Sequence, residues 1–117
     1  MRIEVSGRNV PVTENLRERV EKRFEKIARQ VSELATLEVE LSEEHKRGTA
    51  DDQVATAALH LKGVTLRAHA ASPDMAHSIN ACGDGLAVQV KRHREKRRKR
   101  RATRAAQAAA SQPAAPL

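Results

Sequence analysis

The sequence predicts an α+β domain in which a four-stranded sheet carries two helices on one face. Apolar and polar residues alternate around 3–5, 37–41, 56–61 and 64–69. Apolar residues recur every three or four positions from 16 to 34 and again from 75 to 90. The first pattern marks half-buried strands and the second marks helices with one buried face. In chain order these segments read β-α-β-β-β-α. A β-α-β start needs a right-handed crossover, which allows both helices to cover the same side of the sheet.

Each element has its own signal. Ile3 and Val5 alternate with Arg2 and Glu4 until Gly7 interrupts, giving a short first strand. Thr13 follows Pro11 and suits a helix N-cap, because its hydroxyl can accept from a free amide of the first turn. From there Leu16, Val20, Phe24, Ile27, Val31 and Leu34 form one apolar stripe. Glu18 with Lys22, and Glu25 with Arg29, add ion pairs in the favourable order on the outer face. Leu37, Val39 and Leu41 alternate with Glu38 and Glu40 as a second strand, and SEEHKRGTADDQ is a polar loop containing Gly48.

The next two strands interpret each other. With Lys62-Gly63 as a two-residue turn, Leu61 faces Val64, Leu59 faces Leu66 and Ala57 faces Ala68. His60 then faces Thr65, Ala58 faces Arg67, and Thr56 faces His69. One face is apolar and the other mostly polar, and a slip of one residue would destroy that segregation. Ser72-Pro73-Asp74 opens the second helix with a cap, a proline near its start and an acid in its first turn. Met75, Ile79, Cys82, Leu86 and Val90 form its stripe. Gly83 and Gly85 interrupt it, each costing about 1 kcal/mol relative to Ala in a helix interior.

Composition narrows the function. Aromatics make up 1% of the 117 residues, with Phe24 standing alone, so the core is built from Val, Leu, Ile and Ala. No apolar run approaches the ~18 residues of a membrane span, and the N-terminus has no signal-peptide core. A single cysteine, Cys82, excludes an internal disulfide framework and a cysteine-rich zinc site. The expectation is a soluble, cytoplasmic protein with no membrane partner.

Charge is unevenly placed. The chain has 22 Lys+Arg and 15 Asp+Glu, net +7. Ten of those cations and one acid, Glu95, fall between Lys91 and Arg104, leaving twelve cations and fourteen acids before them. A block of like charge repels itself unless a polyanion neutralises it. Nucleic acid is the commonest such partner. Beyond Arg104 the chain reads AAQAAASQPAAPL, which offers nothing to bury. The expected division is an α+β domain over residues 1–96, then a basic and Ala/Pro-rich disordered tail over 97–117.

Catalytic chemistry finds no footing. His45, His60, His69, His77 and His93 form no HExxH pair and no compact metal-ligand spacing. Cys82 lies in the helix stripe, where a small buried hydrophobe is expected rather than a nucleophile. Gly83-Asp84-Gly85 lacks the strand and further glycines of a phosphate loop. Asp51-Asp52 has no second ligand cluster nearby in sequence. The expectation is a protein that is not an enzyme and needs no cofactor, metal or small-molecule substrate. What remains is binding: Lys and Arg neutralise phosphates with little sequence information. A chain almost without aromatics cannot build a base-stacking platform for single strands, so a folded RNA suits it better.

At Ile3-Glu4-Val5-Ser6-Gly7, Val12-Thr13-Glu14-Asn15-Leu16-Arg17 and Val20-Glu21-Lys22-Arg23-Phe24-Glu25-Lys26-Ile27 the chain resembles the ribosome hibernation-promoting factor and ribosome-associated inhibitor family, short form. The resemblance continues through Arg67-Ala68-His69-Ala70, Asp74-Met75 and Lys91-Arg92-His93-Arg94-Glu95-Lys96, and spans residues 1–96. It implies a fold similar to double-stranded-RNA-binding domains. It also implies a protein, monomeric off the ribosome, that sits in the small ribosomal subunit's decoding channel, over the tRNA and mRNA sites, and silences idle ribosomes. Relatives often carry basic residues midway along the second helix, where this chain has Gly85 and Val88, and commonly Tyr where it has Ala76. The basic load lies further along. The RNA contacts implied are Lys91, Arg92, Arg94 and Lys96, then Arg97 and Arg98, with His77, Arg67, Lys62 and the loop pair Lys46-Arg47 in addition. The alternatives are a general structured-RNA- or DNA-binding module using the basic arm, and a protein-interaction factor.

Overall fold

The computed structural model of the chain describes residues 1–45 and 47–111. Strand β1 (Arg2–Arg8), helix α1 (Glu14–Ala28), strands β2 (Thr36–Glu43), β3 (Gln53–Leu61) and β4 (Val64–Ser72), and helix α2 (Met75–Ser111) follow in order. They form a four-stranded sheet in the spatial order β1-β2-β3-β4. β1 runs parallel to β2, with Ile3 opposite Leu37 and Val5 opposite Val39, so α1 is the crossover. The remaining pairs are antiparallel. This is the α+β fold expected from the patterning.

The β3–β4 hairpin has the expected register: Leu61 opposite Val64, Leu59 opposite Leu66, Ala57 opposite Ala68. Gly63 sits at φ +80°, a backbone conformation that glycine adopts without steric cost. Val20, Phe24 and Ile27 of α1 and Leu37, Val39 and Leu41 of β2 are buried. Ala55, Ala57 and Leu59 of β3 join them, with Met75, Ile79, Cys82, Leu86 and Val90 of α2. The core therefore lies between one sheet face and the two helices. The other face is open.

Helix α1 starts as expected and stops earlier. Thr13 accepts from the Leu16 amide at 3.2 Å. The helix ends at Ala28, and the Gln30 amide bonds to Ile27 O at 2.9 Å, a tightened last turn. Leu34, expected in the core, is 93% exposed. The chain has to turn here to enter β2: Ser32 Oγ accepts from the Leu34 amide, and the Ala35 amide bonds to Ser32 O. Ala35 then takes the buried position instead.

Helix α2 is capped by Asp74, whose carboxylate accepts from the His77 amide at 3.2 Å. The fully buried Ser78 donates to Gln53 O at 2.7 Å and lies 2.6 Å from Ser72 Oγ, which fastens the helix start to β3. From there α2 runs over β3 and β4 toward the hairpin. It continues as helix through residue 96 to Ser111 without a break, while Val90 is the last buried residue among those described. The composition boundary at 96 has no counterpart in the backbone. Of the Ala/Pro-rich stretch, residues 112–117 lie outside the described residues.

The two helix glycines differ. A Cβ on Gly83 would stand 2.9 Å from Arg23 Cγ and 3.0 Å from its Nε, whereas one on Gly85 would meet Ala68 Cβ at an ordinary 3.7 Å. Arg23 lies across α2 at this point, donating to Asn80 O at 3.3 Å and pairing with Asp84. Gly85→Ala is expected to stabilise the fold by about 1 kcal/mol. Gly83→Ala is expected to lose stability, because crowding a fitted site costs about 1–3 kcal/mol and outweighs the same propensity gain. Urea unfolding midpoints decide; a gain at both positions would show that Arg23 moves aside freely.

Candidate nucleic-acid interface

Up to Val90 the inner stripe of α2 is aliphatic; at the next positions of the same stripe stand His93 and Arg97. The helix passes the β3–β4 hairpin at this level, and a cleft opens on each side of it. One, about 620 Å³, has Val31, Leu34, Leu61 and Val90 among its walls and Lys62, Arg94 and Arg97 around it. The other, about 440 Å³, is lined by Leu66 and Gln89 together with Arg92, Lys96 and Arg100. His93 is half-buried between them and lines both. Gln89 donates to Arg67 O, which ties the helix to β4 just before its basic part begins.

This end of the domain gathers Lys62, Arg92, Arg94, Lys96 and Arg97. Lys91 is exposed on the same helix, and Arg98 lies beside Glu95 and Lys99 on an outer flank. The other expected contacts fall elsewhere. His77 sits in the first turn of α2, and Arg47 in the β2–β3 loop; both belong to the opposite end of the sheet. Lys46 lies outside the described residues. Arg67 projects on the open sheet face, in a shallow groove of about 380 Å³ that it shares with Glu4, Glu38 and Glu40. Carboxylates surround it there rather than other cations. His93 and Arg100, which were not among the RNA contacts expected by name, also line the clefts beside α2. The signal for His93 was available, since it falls three residues after Val90 on the stripe.

The histidines of the open face are paired across strands. His60 Nδ1 lies 3.2 Å from Thr65 Oγ1 and its Nε2 3.3 Å from Glu38. His69 Nδ1 lies 3.2 Å from Thr56 Oγ1. One carboxylate–imidazole cluster was not visible in the sequence: His45 Nε2 is 3.1 Å from Glu43 and its Nδ1 3.7 Å from Asp52. These three are the candidate metal ligands among the described residues. The two carboxylates meet opposite nitrogens of one ring, which makes the arrangement a clasp between the ends of the β2–β3 loop.

Cys82 is buried at 1% exposure, and burial pushes its thiol from 9.0 up to about 11, against a smaller lowering by the Ala57 backbone. A nucleophile needs the thiolate, so Cys82 is packing. It is expected to react with thiol reagents only as fast as the fold opens. The linkage has a definite sign. The neutral thiol is retained longer in the folded chain, so this contribution is full below pH 9.0 and is lost as pH rises toward about 11. The pH-dependent part of the stability difference from Cys82→Ala measures it.

Among the described residues no helix is long and apolar enough to cross a membrane. The chain matches the family model described as sigma 54 modulation protein / S30EA ribosomal protein over residues 3–98. It is 33% identical over 96 residues to the ribosome hibernation promoting factor of Escherichia coli (strain K12), covering 82% of this chain and 96% of that one. It is 29% identical over 101 residues to the ribosome hibernation promoting factor of Acinetobacter guillouiae, covering 81% and 88%. Its fold is similar to the crystal structure of the Thermus thermophilus Protein Y N-terminal domain, with a TM-score of 0.67 and 29% identity over 80% of this chain and 99% of that one.

Proposed function

The chain belongs to the sigma 54 modulation protein / S30EA ribosomal protein family, and from that premise we propose that it is a ribosome-associated hibernation factor. It acts without catalysis. Its basic helix end docks on ribosomal RNA of the small subunit, in the decoding channel, and excludes tRNA and mRNA by occupying their sites. The observation that carries this reading is the match to relatives named for ribosome hibernation across the segment that ends in Lys91–Arg98. The placement of Lys62, Arg92, Arg94, Lys96 and Arg97 at one end supports it. Cations gathered there neutralise phosphates and release counterions, while the carboxylates of the open face turn the opposite side of the sheet away from RNA.

The test is sedimentation with vacant ribosomes at low salt. The protein is expected to travel with the small subunit when the subunits are separated, and to be displaced by excess tRNA with mRNA. A protein that stays at the top of the gradient would refute the reading. One observation favours a second reading, a general structured-RNA or DNA module: basic helix continues past residue 98, where the family match ends. Equal affinity for bulk duplex and for ribosomes would support it.

A further inference from the structure

We infer that the larger cleft beside α2 is a seat for one unstacked nucleobase of a folded RNA, with Leu34 and Leu61 as its apolar walls and the flanking phosphates on Lys62, Arg94 and Arg97. This deepens the RNA-binding reading and rests on it. Leu34 is the first observation. It is almost wholly exposed, at 93%, and stands at a cleft whose inner walls include the half-buried Val31 and Leu61. An apolar side chain so placed gains free energy only when something covers it.

Charge selects what covers it. Three cations border the cleft and no carboxylate lines it. An apolar peptide segment would satisfy the walls and leave Lys62, Arg94 and Arg97 unpaired. A lipid surface is flat and could not enter. A nucleotide has both parts, a flat apolar face and an anionic backbone on either side. Its polar edge needs neutral partners, and Gln30, Ser32 and Thr36 supply them along the α1–β2 turn. The volume, about 620 Å³, falls within the range of about 300–1,000 Å³ typical of small-ligand clefts. Folded RNAs present such bases at bulges and loops, where they are splayed out of the helix. Aliphatic walls cover the face of one such base by apolar contact, without the continuous stack that aromatic rings supply on single-strand platforms.

The experiment uses the full chain and two probes of equal charge: a five-nucleotide single-stranded RNA and the same backbone without bases. Methyl resonances of Leu34, Leu61 and Val90 are followed during titration, and affinities are compared for the unaltered chain, Leu34→Ser and Val88→Ser. Val88 is the other exposed large hydrophobe among the described residues and does not line this cleft, so it serves as the control. The expected result is several-fold tighter binding of the RNA with bases, with cleft methyls shifting only for that probe. Leu34→Ser is expected to remove the difference without changing the salt slope, and Val88→Ser to leave it intact. Equal binding of the two probes, or no binding of either, overturns the inference. So do methyl shifts that grow with protein concentration before any RNA is added, which would make the cleft a contact between copies. Sedimentation separates the two readings. A chain that travels with ribosomes but shows no base dependence loses only the nucleobase seat. One that shows base dependence but stays at the top of the gradient loses only the ribosome.

Discussion

Changing Lys91, Arg92, Arg94 and Lys96 together to Ala is expected to weaken ribosome binding by orders of magnitude near physiological salt. Each phosphate neutralised contributes a slope of about −0.7 to −0.9 in log K against log salt. Four lost contacts should therefore flatten the slope by about 3. Proteins making about 6–10 such contacts lose about 10³–10⁵ in affinity between low and physiological salt, so the unaltered chain should show a steep dependence. Arg92, Arg94 and Lys96 line the two clefts beside α2, and all four side chains are exposed and off the buried stripe. The variant should therefore fold and melt like the parent. Neutralising Arg97–Arg101 is expected to cost less, because Arg98 and Lys99 lie on an outer flank. A larger loss from this second set would show that the projecting helix has taken over the docking. A complex insensitive to salt would refute phosphate contact altogether and point to a protein partner.

The sheet and its register were legible because each strand has one buried face, so a wrong register would place leucines in water and carboxylates in the core. The basic end was legible because composition alone isolates it. The end of α1 was not. Val31 and Leu34 continue the helical period by coincidence across a turn, and nothing local says that the chain must bend there to reach β2. Gly83 was equally opaque, since it answers to Arg23, which is distant in sequence and packed across from another helix. The site shows the same limit. Helix cations could be grouped from their spacing, but Arg67 faces carboxylates because β1 and β2 bring Glu4 and Glu38 level with it. The larger cleft is built from the α1–β2 turn, the β3–β4 hairpin and α2, and only their assembly places Leu34, Lys62 and Arg94 around one space.

Phe24→Ala is expected to lower stability by about 3–5 kcal/mol, the range for truncating a buried aromatic ring. Phe24 is fully buried and is the chain's single aromatic residue. Its core cluster includes Ala35, Ala55, Ala57 and Ala68 beside Leu37, Val39, Leu41 and Leu59, so four of the buried positions offer only a methyl group. The ring supplies volume that none of those alanines can replace by shifting, so the cavity should stay open and the loss should lie near the top of the range. Domains of this size are stable by about 5–15 kcal/mol, so the variant should be close to unfolding at body temperature. Phe24→Leu keeps most of the volume and should cost clearly less. Urea unfolding at fixed salt measures both; a loss below about 1 kcal/mol for the alanine change would show that α1 settles onto the sheet and closes the gap. The two large effects should also separate. The lysine and arginine changes act on affinity with the melting curve unmoved. Phe24→Ala acts on stability, and its remaining folded fraction should bind with the parent's salt slope, because the basic end of α2 lies beyond the core.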